Sequence, residues 1–221
     1  MGVHRSPNPS QIAPQAGPQL RIIVWLLASY FVGSIPTSLL AARWWAGLDL
    51  RKEGSGNLGA TNLYRVLGFK YAIPVGLFDF AKGLLPPLLF GSQPTIAGPR
   101  WTPIVMGLAA ICGHVWSMFA GFRGGKGVAT TAGVVMALAP IPTAVSLTVW
   151  ALLTKFTGYV SLGSMIGSSI FPIVAWFVMP GDTITAGAGL LMAGFIVYNH
   201  RANIGRLRSG TERRFGKGSS P

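Results

Sequence analysis

The chain has 221 residues, half of them apolar and only 10% charged, where a soluble domain carries roughly 25%. That composition excludes a soluble enzyme or binding module and points to an all-α, polytopic membrane protein. The net charge of +13 is scattered along the chain rather than gathered in a soluble domain, which argues against nucleic-acid binding. One cysteine, Cys112, lies inside an apolar run, so neither an internal disulfide nor a cysteine metal cage is available.

Residues 1–19 are polar and rich in Pro, Gln and Ser. They lack the basic start, apolar core and small-residue cleavage site of a signal peptide, and are expected to form a disordered extracytoplasmic tail. Residues 22–42 are uncharged and long enough to span, since about 20 residues are needed. The loop that follows contains Gly54-Ser55-Gly56-Asn57-Leu58-Gly59-Ala60-Thr61-Asn62. Its glycines allow tight turns that point several N–H groups one way, an anion nest. Ser55, Asn57, Thr61 and Asn62 add side-chain donors, and Arg51, Lys52 and Arg65 flank the run. Read alone, the same stretch serves equally as a flexible glycine linker.

Residues 71–90 form the next span and carry Asp79 and Lys82. An unpaired charge near the bilayer centre costs about 2.5–3.5 kcal/mol, so the two either pair and hold the bundle or face a polar cavity. Structural support is the favoured reading. Residues 101–119 follow, with His114 expected to hydrogen-bond another helix. Then comes Ala120-Gly121-Phe122-Arg123-Gly124-Gly125-Lys126-Gly127. It is not a Walker motif, because Ala120 stands at the first position and Gly127 follows the lysine. Glycine N–H groups, a lysine and the start of a helix nevertheless favour an anion.

Residues 127–154 hold no charge. As one helix they would be about 42 Å long, too long for a hydrocarbon core of about 30 Å. As two helices broken at Pro140-Ile141-Pro142, each would be short. Charge chooses between these. With two crossings and the amino terminus outside, the inner side collects 14 basic residues and the outer side three: Arg5, Arg21 and Arg100. With one crossing the basic carboxyl-terminal tail moves outside and the positive-inside rule fails. Residues 159–179 and 184–198 complete the set. The expectation is seven transmembrane helices, two of them short, with the amino terminus out and the carboxyl terminus in. Residues 20–215 then form a single domain, and 216–221 a flexible cytoplasmic tail.

This topology gathers the loop at 47–68, the segment 120–131, the turn 155–161 and the tail 200–212 on the inner face. In the tail, His200 and Asn203 lie three apart, on one face if the last helix continues past Tyr198. A transporter or flippase for a phosphorylated solute would also suit interrupted helices and a central charge pair. Against it, no internal repeat is visible and the polar motifs gather on one face.

With these segments in place, the sequence resembles the bacterial membrane acylphosphate:glycerol-3-phosphate acyltransferase family over roughly residues 22–215. The matching runs are Gly33-Ser34-Ile35-Pro36, the nonapeptide 54–62 with Arg65, Asp79-Phe80-Ala81-Lys82-Gly83 and Gly113-His114. Gly121 to Thr130, Tyr159-Val160-Ser161, His200-Arg201, Asn203-Ile204 and Gly210-Thr211-Glu212 follow in order. The chain departs from the pattern at Ala202, where Glu is expected, and at Ser38, where Gly is usual.

The resemblance implies transfer of a fatty acyl group from acyl phosphate to the 1-hydroxyl of glycerol 3-phosphate. The product is lysophosphatidic acid, the first step of phospholipid synthesis. It implies a site facing the cytoplasm from the bacterial inner membrane, with catalytic residues Ser55, Arg65, Lys126, His200 and Asn203. Substrate binding falls to Gly54, Gly56, Asn57, Thr61, Asn62, Gly124, Gly125, Gly127 and Ser161. No cofactor and no metal are expected. The expected partners are glycerol 3-phosphate, acyl phosphate, membrane lipids and the enzyme that forms the acyl phosphate, with the chain acting as a monomer. Neither His114 nor His200 has an aspartate five residues on, because Phe119 and Gly205 stand there. The His-x4-Asp dyad of soluble glycerolipid acyltransferases is therefore absent. The departing phosphate is expected to take the hydroxyl proton, with His200 as the alternative base.

Overall fold

A computed structural model describes residues 17–93 and 98–216. The expectations for residues 1–16 and 217–221 lie outside them. The described chain is all-helical, running α1 (Pro18–Ser34), α2 (Thr37–Ala46), α3 (Ala60–Leu67), α4 (Phe69–Phe90) and α5 (Gly98–Val115). After these come α6 (Val128–Leu138), α7 (Pro140–Thr157), α8 (Val160–Val178), α9 (Thr183–Asn199) and α10 (Arg201–Arg208). Four stretches are long and apolar enough to cross a membrane: Gln19–Ala46, Phe69–Phe90, Gly98–Ala120 and Val160–Val178. The shorter apolar helices α6 and α9 pack among them.

The most extensive contacts are α4 with α6, α7 with α8, α1 with α5 and α8 with α9. Two of these interfaces close on reciprocal glycines. A Cβ on Gly83 of α4 would strike the Thr130 carbonyl of α6, and one on Gly133 of α6 would strike the Phe80 carbonyl of α4. Gly33 and Gly113 do the same between α1 and α5. Lipid is as apolar as leucine, so membrane helices gain by close van der Waals approach, which small residues permit.

The first apolar run is not one continuous helix. It breaks at Ile35-Pro36, because proline has no N–H to donate back along the helix. The carbonyls this frees are met by polar side chains. Ser117 Oγ donates to the Ser34 carbonyl, and Lys82 Nζ donates to the Ile35 carbonyl at 2.9 Å. Lys82 also pairs with Asp79 at 2.8 Å, and Thr37 Oγ1 donates to Asp79 Oδ1 at 2.6 Å. Both charged side chains are almost wholly buried. The pair thus sits at the gap made by Pro36, and Asp79 also borders the cavity described below.

The uncharged segment 127–154 does divide in two, but at Ala139 rather than within the Pro-Ile-Pro run. Pro140 opens α7 and Pro142 sits in its first turn, where the missing N–H costs nothing. The halves are therefore unequal: α6 has 11 residues and α7 has 18. His200 adopts φ −99° and ψ 8°, so α9 ends at Asn199 and α10 begins at Arg201.

Candidate active site

One cavity of about 540 Å³ runs from the loops preceding α3 and α6 into the bundle. Its polar end is lined by Ser55, Asn57, Thr61, Arg65, Lys126, Ser161, His200, Asn203 and Glu212. Its remainder is mostly apolar, with Ile73 and Leu77 of α4, Leu147 of α7, Phe171 of α8, and Met192 and Ile196 of α9, although a few polar side chains such as Thr143 and Ser146 also line it. All five expected catalytic residues line it. So do Asn57, Thr61, Asn62, Gly127 and Ser161, whereas Gly54, Gly56, Gly124 and Gly125 do not.

The loop before α3 is shaped by Gly54 and Gly56, at φ 59° and 71°, the left-handed region that a side chain resists. Much of the expected anion nest is consumed internally. Gly56 N–H donates to the Glu53 carbonyl at 2.9 Å, and Ser55 N–H donates to Asn62 Oδ1 at 2.8 Å. The Asn62 amide donates in turn to the Glu53 carbonyl at 3.0 Å. Asn62, expected to offer a donor to a ligand, thus closes the loop on itself. Besides Ser55 and Asn57, the start of α3 borders the cavity at Gly59, Ala60 and Thr61. Arg51 is also diverted: with Arg43 it holds Asp49, at 2.6 Å and 3.3 Å. The hydrogen bond from Arg51 keeps that carboxyl well below the usual carboxylate range.

The second donor group precedes α6. Gly125 N–H donates to the His114 carbonyl at 3.2 Å, and Leu58 N–H reaches the Gly124 carbonyl at 3.5 Å. A Cβ on either glycine would strike His114. Gly124 and Gly125 therefore let the segment lie against α5, and they join it to the first loop. Lys126 then projects into the cavity, and Nζ donates to Asn203 Oδ1. Asn199 Nδ2 donates to the Lys126 carbonyl at 3.4 Å. Burial lowers the Lys126 amine to about 8; Arg206 and Arg65 push the same way and Glu212 opposes them. The half-buried Arg65 is lowered by burial too. Among the described residues it forms no ion pair. The first turn of α6 lines the cavity beside Lys126 through Gly127, Val128 and Ala129.

His200 and Asn203 face the cavity across the break between α9 and α10 rather than along one continuous helix. His200 Nδ1 lies 2.7 Å from the Ile196 carbonyl. A carbonyl only accepts, so Nδ1 carries the proton and Nε2 keeps its lone pair. Burial, then the nearby Lys126, lowers His200 to about 4.

Glu212 organises this corner and was not among the expected site residues. It accepts from Ser161 Oγ at 2.8 Å, Asn203 Nδ2 at 2.6 Å and Arg206 Nε at 2.7 Å. Those bonds hold its carboxyl below the ordinary value against the opposing effect of burial. The available signal was its place as the only carboxylate after residue 200. Asp79 and His114 also line the cavity, 3.7 Å apart.

Fold and cavity together define a helical integral-membrane protein whose apolar chamber ends in a group of cations and helix N-termini, suited to a lipid-like ligand with an anionic head. The glycerol-3-phosphate acyltransferase family model matches residues 23–210. The glycerol-3-phosphate acyltransferase of Trichlorobacter lovleyi is 44% identical over 197 residues, covering 87% of this chain and 97% of that one. That of Bacillus cereus strain G9842 is 43% identical over 186 residues, covering 84% and 91%. Two crystal structures of PlsY, an integral membrane glycerol 3-phosphate acyltransferase, superpose on this fold. The glycerol 3-phosphate form gives a TM-score of 0.81 at 37% identity, over 88% of this chain and 96% of that one. The lysophosphatidic acid form gives 0.78 at 35%, over 88% and 95%. The chain belongs to the glycerol-3-phosphate acyltransferase family.

Proposed function

We propose that the protein transfers a fatty acyl group from acyl phosphate to the 1-hydroxyl of glycerol 3-phosphate, giving lysophosphatidic acid and phosphate. The observation that carries this is the shape and charge of the cavity described above. Lys126, Arg65 and the starts of α3 and α6 supply positive charge and N–H donors at one end, and an apolar chamber leads away from them. Two phosphates need such donors, and an acyl chain needs the chamber. The relatives' names supply the acceptor.

Lys126, with the first turn of α6, holds the acyl phosphate. Arg65, Ser55, Ser161, His200 and Asn203 hold glycerol 3-phosphate. The hydroxyl oxygen attacks the acyl carbonyl carbon, the carbon–oxygen bond to phosphate breaks, and the departing phosphate takes the hydroxyl proton. An acyl phosphate is a mixed anhydride with a good leaving group. Alignment and stabilisation of developing charge therefore account for the rate without a strong base. His200, lowered to about 4, is neutral at pH 7 and a weak base, which supports that assignment. Its Nε2 lone pair serves to orient the hydroxyl. The site faces the cytoplasm of a bacterial inner membrane, where a soluble acceptor and a membrane-held donor both reach it.

The test is direct. Purified protein given palmitoyl phosphate and radiolabelled glycerol 3-phosphate forms labelled lysophosphatidate without added metal or nucleotide. Activity with acyl-CoA and none with acyl phosphate would overturn the donor.

A further inference from the structure

Beyond α10 the chain turns back across the cavity. Thr211 and Glu212 N–H both donate to the Arg206 carbonyl, at 2.8 and 3.2 Å, and Glu212 is held inside the site as described. Three residues on, Phe215 N–H donates at 2.6 Å to the carbonyl of Gly158, in the turn between α7 and α8. The Phe215 ring lies on the other side against Tyr64 of α3 and Phe69 of α4, with centroids 4.5 and 5.4 Å away. Arg214 covers the Tyr159 ring at 5.2 Å. Helix α4 packs chiefly on α6 and α5, and α8 on α7 and α9. The segment 211–216 thus bridges the turn between α7 and α8 and the α3–α4 side of the bundle, and Phe215 is itself part of the cavity wall.

We infer that Phe215 is a specificity-determining residue: it closes the head end of the cavity against water, so that the acyl group passes to glycerol 3-phosphate and not to water. The inference rests on the acyl-phosphate reaction proposed above. The competing reaction uses the same electrophile. Water attacks the carbonyl carbon, the same carbon–oxygen bond breaks, and fatty acid and phosphate leave, with phosphate taking the proton. A closed site prevents such hydrolysis. Near Phe215 the strap is held by one backbone hydrogen bond, two ring contacts and the contact of Arg214 with Tyr159, none of them covalent, so it can release when substrate arrives or product leaves.

The experiment follows both fates of palmitoyl phosphate in the full-length protein in lipid, with glycerol 3-phosphate present. Free palmitate and lysophosphatidate are measured for wild type, Phe215→Ala, Phe215→Trp and Tyr64→Ala. Loss of the two ring contacts is expected to raise the ratio of hydrolysis to transfer about tenfold in Phe215→Ala, with Phe215→Trp close to wild type. Tyr64→Ala, which removes the same contact from the other side, is expected to raise the ratio as well, and it decides the matter if Phe215→Ala does not fold. An unchanged ratio in the folded variants overturns the inference and leaves the reaction standing. A wild type that makes neither product overturns the reaction and the inference with it.

Discussion

At the scale of single residues, Lys126 sets the pH response. Its amine titrates near 8 rather than at the ordinary 10.5, because it is buried beside other cations. Below about pH 8 it is charged and able to hold a phosphate in the role proposed for it; above, it is neutral and is not. The expected kcat/KM for acyl phosphate therefore falls on an alkaline limb near pH 8, and in Lys126→Arg that limb moves beyond the measurable range, since a guanidinium stays charged. Unfolding does not explain such a limb. Between about 8 and 10.5 the unfolded chain binds the extra proton, so this group makes folding more favourable as pH rises. His200 gives the complementary result. Removing a true general base costs about 10²–10⁴ in rate, so His200→Gln is expected to lose less than about tenfold, with the pH–rate profile unmoved. A larger loss together with a lost acid limb would make it the base. The residues that could be recognised in the sequence were those whose chemistry is local: a lysine among glycines, or His-x-x-Asn. Glu212 and the true use of Asn62 were not, because both act through partners distant in sequence or through the backbone of their own loop. Ser161 is 51 positions from Glu212.

At the scale of elements, the break between α1 and α2 and the Asp79–Lys82 pair are one device. Pro36 opens the helix, and the charges close it. Removing one partner of a buried pair leaves the other charge uncompensated and costs about 3–5 kcal/mol, whereas replacing both with apolar residues of similar size costs far less. Lys82→Met alone is thus expected to melt well below wild type in detergent, with Asp79→Leu/Lys82→Met recovering much of the loss. An Asp79→Asn protein of normal stability and no activity would assign the aspartate to catalysis instead. The glycine contacts give a second measurement. Gly133→Ala places a methyl group against the Phe80 carbonyl and the Leu84 amide, and overpacking of this kind costs about 1–3 kcal/mol. Gly205→Ala on α10 meets nothing within 4 Å and is expected to be neutral or slightly stabilising, as alanine is in an exposed helix. The long apolar helices were legible from apolar length, and the division of residues 127–154 from charge. The exact positions of the breaks were not, since Pro36 interrupts a helix while Pro140 begins one.

At the scale of the whole molecule, the charge pattern carries more information than the helix lengths. Helix α6, with 11 residues, rises only about 16 Å and does not cross a core of about 30 Å unaided. If α6 crosses, the loop of residues 121–127 has to reach inward to meet its start, in keeping with its packing against His114 of α5 and with the burial of Lys126. A hydropathy count that dismisses α6 leaves six crossings and sends the basic tail outside. We expect seven, with both Lys126 and the strap on the cytoplasmic side. The two arrangements differ at accessible positions. In a Cys112→Ala background, a cysteine replacing Ser209, which follows α10, is expected to react with a membrane-impermeant maleimide only in inside-out vesicles. A cysteine replacing Pro180, between α8 and α9, is expected to react only in right-side-out cells. An exchange of these two patterns would mean that residues 127–154 cross once. Residues 200–212 would then lie on the opposite side of the membrane from the loops at 54–65 and 121–127, against the contact of Lys126 with Asn203. Labelling of both cysteines from the inner side would leave α9 uncrossed, and would fail to account for a helix of 17 residues with no charge along its length.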